Sequence, residues 1–304
     1  MDRFEAMKMF LTALDKGSLS AAARELRVPV PTLSRKVAEL ENKLGTQLLL
    51  RTSRKLTLTE SGIAYAHKAR QILERLDEAE REAAGEFSAP RGELVLTAPL
   101  MFGRLHLVPV VSEFLDTYPE VTVRVALAER TLNLIDDNVD MAVRLGNLPD
   151  SGMIATRIGS MRSVVCASPD LIDRVGIPKS PADLACLPCL STELQTQSGT
   201  WAFRCPDTGA PFDVPIKPRL SGSSEASRAA ALCGVGFAKL RHYQVIEAVG
   251  AGRLEIVLQD FEPERTPVHL VHAPRGNMPL KMRLFLKFAA PRLRSTLSSI
   301  ASAQ

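Results

Sequence analysis

Apolar side chains recur every three or four positions through the first 45 residues, and this spacing is typical of amphipathic helices. The repeats predict three helices in succession, namely residues 3–16 ended by Gly17, a short helix capped by Ser18 or Ser20, and about Pro31 to Leu44 ended by Gly45. On the third helix we expect the buried stripe to be Leu33, Val37, Leu40 and Leu44. The pattern therefore predicts a small all-α domain.

Two prolines stand between the second and third predicted helices. Pro29 cannot continue the second helix because it has no N–H to donate, and Pro31 is tolerated only in the first turn of the next one. The chain must therefore turn sharply between the two helices. Helices joined in this way predict a helix-turn-helix.

The polar face of the third helix is basic. With the apolar stripe buried, the residues on its outer face are Thr32, Arg35, Lys36 and Glu39, with Ser34 beside them. A helix fits the major groove of DNA, where its first residues reach base edges and phosphates. This face therefore predicts an interface with DNA. The alternative is an ordinary three-helix domain with a solvated basic face.

An alternating basic stretch follows Leu48–Leu50 and predicts a β-hairpin, or wing. Its basic side chains would lie along the phosphate backbone. Together with Ser20 at the start of the second helix, the third helix and the wing give the candidate DNA-binding residues Ser20, Pro31, Thr32, Ser34, Arg35, Lys36, Arg51, Arg54 and Lys55.

The charge of the chain is uneven. Residues 1–60 carry eleven basic and seven acidic residues, a surplus that accounts for the whole net charge of +4 over 304 residues. A basic first module joined to a neutral remainder predicts an anionic macromolecular partner for the first module alone. The composition, 45% hydrophobic and 24% charged, is typical of a soluble protein. The length suits about two domains.

The segment from Phe10 to Gly62 resembles the N-terminal domain of LysR-type transcriptional regulators. The positions that carry the resemblance are Phe10, Gly17-Ser18, Ala22-Ala23, Leu26, Ser34-Arg35, Leu40-Glu41, Leu44-Gly45, Leu48, Arg51, Leu58-Thr59 and Gly62. The resemblance implies a DNA-binding regulator that is a homodimer or homotetramer and whose C-terminal domain senses a small-molecule effector. Double-stranded DNA and RNA polymerase are the partners it implies, and no cofactor is expected.

The chain departs from this family at two places. Pro29-Val30 stands where the family usually carries polar residues, often Ser-Gln, and Leu50 stands where it most often has Phe. Neither Pro29 nor Val30 can donate a side-chain hydrogen bond, and Val30 could at most touch a thymine methyl group. We therefore expect base contacts to shift onto Pro31, Thr32, Arg35 and Lys36.

Residues 59–86 predict one long helix with Thr59 as its cap. About 25 residues of helix extend roughly 38 Å. The apolar stripe consists of Ile63, Ala66, Ala69, Ile72, Leu73, Leu76 and Ala83. We expect the matching helix of a second subunit to cover this stripe, which would place two recognition helices on a symmetric DNA site. The alternative is packing on the C-terminal domain.

From Gly92 the pattern changes to strands alternating with helices, which predicts an α/β domain with largely parallel pairing. A second set of strands begins near Arg162, and the strand at 267–274 with the helix near 280–297 could return to the first set. Two lobes joined in this way resemble periplasmic-binding-protein-like folds. The predicted organisation is a winged helix-turn-helix domain (1–58), a dimerisation helix (59–86), a hinge (87–91) and a two-lobed α/β effector domain (92–304).

A cleft between the lobes is where a ligand would bind. Ligands of such sheets lie beyond the ends of strands and near helix N-termini. This rule selects Thr97, Ala98, Pro99, Leu100, Arg144, Gly146, Gly222 and Ser223, and the family resemblance adds Ser191, Thr192 and Phe237. Such a lining would suit a small carboxylate or a polar aromatic molecule. The alternative is that Ser223 only caps a helix and Arg144 only forms a surface ion pair.

Signals of other functions are weak. Cys186 and Cys189 form a C-x-x-C motif, but a second one is missing and leucines surround the pair, so we expect buried structural cysteines and neither metal nor redox chemistry. The five histidines match no metal or triad motif, which argues against an enzyme. The cysteine content and the lack of a signal peptide or a long apolar run predict a cytoplasmic protein without a membrane span. A small-molecule sensor that binds protein partners is the alternative function.

Overall fold

The computed structural model describes residues 2–51, 56–83, 89–129, 131–148, 152–192, 199–274 and 278–302. The chain divides into two compact units, Met1–Ala89 and Pro90–Gln304. Each unit has its own hydrophobic core.

The first unit is a bundle of helices with a two-stranded antiparallel wing. Its elements are α1 (Arg3–Asp15), α2 (Leu19–Glu25), α3 (Val30–Leu44), β1 (Leu49–Arg51), β2 (Leu56–Leu58) and α4 (Glu60–Ala83). Of the two expected caps of α2, Ser18 is the one used, because its hydroxyl accepts a hydrogen bond from the N–H of Ala21 at 3.0 Å. Gly45 ends α3 in the left-handed conformation, as expected (φ 68°).

The turn between α2 and α3 confirms the predicted helix-turn-helix and corrects how α2 ends. Arg27 adopts a left-handed conformation (φ 53°), and the N–H of Val28 donates to the carbonyl of Ala23 at 2.9 Å. The helix therefore stops before either proline is reached. Pro29 caps α3 without a side-chain hydrogen bond, and Pro31 lies in the first turn, where its missing N–H costs no bond.

The core of the first unit brings α1, α3, the wing and α4 together. Phe10, Leu33, Val37 and Leu48 are fully buried there, and Leu40 is nearly so. The predicted stripe of α3 is correct except at Leu44, which is 41% exposed because the last turn of the helix extends past this core.

The apolar stripe predicted on α4 is divided between two environments. Ala66 and Ala69 are buried in the core of the first unit, whereas Ile63 and Ile72 are 61% and 41% exposed. The expectation that a second subunit covers the whole stripe is therefore wrong for the two alanines. Leu73 and Leu76 are half-buried, and the side chain of Ala83 lies outside the described part of the chain.

The second unit has two α/β lobes. Its elements in chain order are β3 (Gly92–Ala98), α5 (Leu100–Phe102), a π-helical segment (Gly103–Leu107), α6 (Val108–Thr117), β4 (Val121–Leu127), β5 (Met141–Leu145), β6 (Ile154–Met161), β7 (Ser163–Ala167), α7 (Pro169–Val175), β8 (Cys189–Thr192), β9 (Thr200–Arg204), β10 (Pro211–Pro215), β11 (Pro218–Gly222), α8 (Ser224–Leu232), β12 (Phe237–Arg241), α9 (His242–Gly250), β13 (Glu255–Val257), β14 (Thr266–His272) and α10 (Leu280–Ser302).

Each lobe is built on a five-stranded sheet, with strand order β4-β3-β5-β14-β6 in the first lobe and β11-β8-β12-β7-β13 in the second. The return of β14 to the first sheet is as predicted, and α10 packs there against β6 and α6. Phe114 and Phe285 meet edge-on in this core, with ring centroids 5.1 Å apart. The lobes are joined twice, through Arg162 between β6 and β7 and through residues 258–265 between β13 and β14.

Three expectations about the second unit need correction. Strand pairing is mixed, because β14 runs antiparallel to β5 and β6, and β7 runs antiparallel to β12 and β13. Residues 131–138, whose sequence predicts a short helix, instead form a turn at 134–138, where Asn133 accepts the N–H of Ile135 and donates to Asp136. Of the C-x-x-C pair, Cys186 is exposed and Cys189 is buried, and burial raises the pKa of the Cys189 thiol to about 12.

Candidate functional site

The exposed face of α3 carries the first candidate site. The side chain of Arg35 is 70% exposed, and its guanidinium lies 3.9 Å from the carboxylate of Glu39 one turn further along. Pro31 is also exposed and Thr32 is half-buried, so the first two turns of α3 present these residues to solvent. An exposed ion pair at this distance contributes little stability, so Arg35 can leave Glu39 for an anionic partner at small cost.

Lys36 is held by another helix. Its ammonium donates to the carboxylate of Glu5 on α1 at 2.6 Å, and this hydrogen bond raises the pKa of Lys36. The side chain is 20% exposed. Lys36, which we expected on the outer face of α3, is therefore held by Glu5 between α1 and α3, and its contact with DNA stays a prediction.

The wing is attached to the end of α3 by Glu41. The carboxylate of Glu41 accepts the N–H groups of Leu48 and Leu49 at 2.8 and 3.0 Å. These bonds fix where the wing starts relative to α3. The side chain of Arg51, together with Arg54 and Lys55, lies outside the described part of the chain.

A cavity of about 490 Å³ lies between the two lobes of the second unit. The first lobe contributes the ends of β3 and β5, and the second contributes β9, β12 and the start of α8. The polar residues of the lining are Thr97, Glu129, Thr131, Arg144, Ser163, Thr192, Thr200, Ser224, Lys239, Arg241, Tyr243, Gln244, Glu264 and Thr266. Its volume is that of a small-molecule site.

Lys239 and Arg241 lie two residues apart on β12, so both side chains point to the same face of the sheet. The Lys239 ammonium donates to the carbonyl of Ala202 and lies 4.6 Å from the centre of the Phe203 ring. Burial, aided by the charge of Arg241, lowers the pKa of Lys239 to about 8. The guanidinium of Arg241 donates to the hydroxyl of Thr266 at the start of β14.

Arg144 adds a third positive charge from the first lobe. Its guanidinium donates to the carbonyl of Leu132, and burial lowers the pKa of both Arg144 and Arg241. Both remain cationic because an arginine keeps its proton in proteins. Within the described residues, neither guanidinium forms an ion pair with a carboxylate.

The two connections between the lobes are tied together by an ion pair. Arg162 donates two hydrogen bonds to the carboxylate of Glu262, at 2.8 and 2.7 Å, and the two side chains are 18% and 15% exposed. The hydrogen bonds to Glu262 raise the pKa of Arg162. This paired, little-exposed contact ties the two crossovers to each other.

Within the described residues, no helix combines the length and the apolar character that crossing a membrane requires. The same part of the chain holds no cluster of three His, Cys, Asp or Glu side chains suited to a metal ion.

Comparison with known proteins decides the family. Residues 4–63 match the model of the bacterial regulatory helix-turn-helix protein, lysR family, and residues 88–294 match the LysR substrate binding domain. The regulator CrgA of Neisseria meningitidis serogroup C is 33% identical over 96% of this chain and 98% of its own length. The chain belongs to the LysR family of transcriptional regulators.

Other relatives agree with this assignment. A transcriptional regulator of Xanthomonas campestris is 33% identical over 94% of this chain and 84% of its own length. The solved structure of CrgA from Neisseria meningitidis has a TM-score of 0.61 at 32% identity, and covers 95% of this chain and 98% of that one. LysR regulators are not enzymes; they bind DNA and small-molecule effectors as homo-oligomers. The predicted family and fold class are confirmed.

Five of the nine expected DNA-binding residues lie in the first two turns of α3, namely Pro31, Thr32, Ser34, Arg35 and Lys36. Ser20 is exposed in the first turn of α2. Whether these residues contact bases stays a prediction.

The expected effector-binding residues fall into two groups. Thr97, Ala98, Pro99, Leu100, Arg144 and Thr192 line the cavity. The remaining five are not among the described residues that line it, namely Gly146, Ser191, Gly222, Ser223 and Phe237. Ser223 caps α8 by accepting the N–H of Ala226 at 3.1 Å, and Phe237 is fully buried in the core of the second lobe.

Several residues that line the cavity were not predicted from the sequence. Lys239 and Arg241 lie on β12 and Tyr243 and Gln244 in the first turn of α9, whereas the sequence predicted only Phe237 in this part of the chain. A signal was present, because Lys239 stands in an otherwise apolar strand and Arg241 is the last residue of that strand. Two cations at such a strand end indicate a polar surface at the edge of the sheet.

The ion pair between Arg162 and Glu262 gives a first prediction. Replacing Glu262 by Gln should lower the free energy of unfolding of the second unit by about 1–2 kcal/mol, because Arg162 loses a charged partner in a little-exposed site. Denaturant unfolding monitored by Trp201, the single tryptophan of the chain, measures this.

Glu247→Gln is the matched control, since Glu247 is 80% exposed and 3.9 Å from Arg253. We expect a change of less than about 0.5 kcal/mol there. Equal effects of the two substitutions would show that the Arg162–Glu262 pair stabilises the protein no more than an exposed surface ion pair does.

Proposed function

We propose that a small-molecule effector binds in the cleft between the lobes and changes how a homodimer or homotetramer of this regulator holds its operator DNA. The observation that carries the proposal is the polar cavity of about 490 Å³ between two lobes that the chain connects through two crossovers. An effector that binds one lobe arrangement more tightly than another shifts the population toward it.

DNA binding is assigned to α3 and the wing, with Arg35 as the side chain that reads bases. Two copies of α3 in a dimer would meet an interrupted palindrome. The exposed Ile63 and Ile72 on α4 supply apolar surface for contact between subunits. A regulator that binds promoter DNA in the cytoplasm would lie beside RNA polymerase, which is therefore a further proposed partner.

A cleft-filling variant tests effector control. Thr131 is exposed at the cavity lining, so Thr131→Trp should fill the cavity without disturbing either core. Addition of the low-molecular-weight filtrate of a cell extract should change the operator affinity of the wild-type chain, measured by fluorescence anisotropy. It should leave the affinity of the variant unchanged.

The control is Thr122→Trp, an exposed position on β4 outside the cavity lining. We expect the control to respond like the wild-type chain. If the filtrate still changes the operator affinity of Thr131→Trp, the effector does not bind in the cleft and the proposal is contradicted.

A further inference from the structure

We propose that Arg27 binds a phosphate of the DNA backbone from the turn between α2 and α3. Its guanidinium would supply the phosphate contact that two prolines remove from the backbone at the start of α3. This inference rests on the proposed role of α3 at the operator, because it adds a residue to the same interface.

Arg27 holds a backbone conformation that favours glycine. After α1 and α3 the chain turns at Gly17 and Gly45, both with φ 68°, whereas after α2 it turns at Arg27 with φ 53°. The left-handed conformation is unfavourable for a residue with a Cβ atom, which crowds the following carbonyl oxygen. Strain of this kind is concentrated at functional sites, and it points to a role for the Arg27 side chain.

Backbone hydrogen bonds fix the position of Arg27. Its N–H donates to the carbonyl of Arg24 at 3.2 Å, and the N–H of Val28 donates to the carbonyl of Ala23 at 2.9 Å. This pair of bonds is a Schellman motif, which satisfies the last carbonyls of α2. The side chain of Val28 packs against the core of the first unit. The turn therefore holds Arg27 three residues before Val30, the first residue of α3.

The Arg27 side chain has no partner within the described part of the chain. It is exposed there and forms neither an ion pair nor a side-chain hydrogen bond. By contrast, four other cations of this unit have carboxylate partners, namely Lys16, Arg35, Lys36 and Arg70. A guanidinium carries five N–H donors and can bind a phosphate through two of them. Arg27 can therefore bind a phosphate without first breaking an ion pair.

The start of α3 lacks most of the donors that a helix offers to an anion. The first four N–H groups of a helix have no partner within it and commonly bind phosphate. In α3, two of these four positions are Pro29 and Pro31, and the N–H of Thr32 donates to the carbonyl of Pro29 at 3.0 Å. Of the four, this leaves the N–H of Val30. Because the start of a recognition helix enters the major groove, a cation in the preceding turn can restore a phosphate contact.

Replacement of Arg27 by Asn tests the inference. Asn tolerates the left-handed conformation, so the full chain should keep at least the wild-type Tm. Its affinity for the chain's own upstream DNA and for scrambled DNA should fall by the same factor, about 10- to 30-fold for a dimer that loses two phosphate contacts. The slope of log affinity against log salt should decrease in magnitude by about 2. Fluorescence anisotropy at several salt concentrations measures both.

Three further variants separate charge from backbone effects. Arg27→Gly places at this turn the residue that follows α1 and ends α3, and it should lose affinity as Arg27→Asn does. Arg27→Lys keeps a positive charge, so we expect a loss of about threefold at most. The matched control is Lys68→Gln, which removes an exposed cation of α4 outside the helix-turn-helix. We expect a loss of about twofold at most there, with the salt slope unchanged.

Two results would overturn the inference. One is that Arg27→Asn and Arg27→Gly bind both DNAs as tightly as the wild-type chain, with the same dependence on salt. The other is a loss confined to the upstream DNA, which would indicate a base contact. If Arg35→Ala weakens binding and Arg27→Asn does not, the phosphate contact alone is rejected and the role of α3 stands. A wild-type chain that binds neither DNA rejects both.

Discussion

Arg35→Ala is expected to weaken operator binding by about 100-fold or more. A side chain that contacts a base edge contributes about 1–3 kcal/mol per contact, and a dimer loses two of them. Arg35 is the cation that α3 leaves exposed in its first two turns, because Glu5 holds Lys36. Fluorescence anisotropy with labelled operator DNA measures the loss.

Two further substitutions sharpen this test. Lys43→Ala removes an exposed cation from the far end of the same helix, and we expect a loss of a few-fold at most. Arg35→Lys keeps the charge but not the two-pronged geometry. If Arg35→Lys binds operator as tightly as the wild-type chain, Arg35 contacts phosphate and the base-contact assignment fails.

Gly62→Ala is expected to destabilise the first unit by about 3 kcal/mol or more. A Cβ atom at Gly62 would stand 2.0 Å from the carbonyl oxygen of Leu48, which is backbone and belongs to the start of the wing. Relief of this clash would also displace the cap of α4, where the N–H of Gly62 donates to the hydroxyl of Thr59 at 2.9 Å. Helical circular dichroism should show an early transition, while Trp201 fluorescence in the second unit unfolds as in the wild-type chain.

Ser61→Ala is the matched control for this substitution. Ser61 is exposed one residue earlier on α4, so its loss should change stability by less than about 0.5 kcal/mol. A Gly62→Ala chain as stable as this control would contradict the close packing of α4 on the wing.

Local rules were sufficient for the helix-turn-helix of the first unit. The spacing of Leu33, Val37 and Leu40 and the two prolines predicted the helix-turn-helix, because helical period and proline chemistry act within a few residues. These rules failed where a residue contacts a partner that is distant in the sequence. Lys36 meets Glu5, which lies 31 positions away, and Ala66 and Ala69 meet the core of α1 and α3. Periodicity marks an apolar face but does not say which neighbour covers it.

The cleft was harder to predict because two lobes must fold before it exists. The rule that ligands lie at strand ends selected Thr97 and Leu100, which line the cavity, since both positions follow from β3 alone. It missed Lys239 and Arg241 because the sequence does not show that the end of β12 faces β5 of the other lobe. The antiparallel partners of β14 and β7 were missed for the same reason, since strand order is set by the crossovers and not by local pattern.

The most direct test of the account is binding of the purified chain to its own upstream intergenic DNA, measured by fluorescence anisotropy at two salt concentrations beside scrambled DNA. A LysR regulator that holds phosphates with α3 and the wing should prefer its own DNA and lose affinity steeply as salt rises. A folded, dimeric chain that binds neither DNA at low salt would contradict the account and point to a partner-binding sensor.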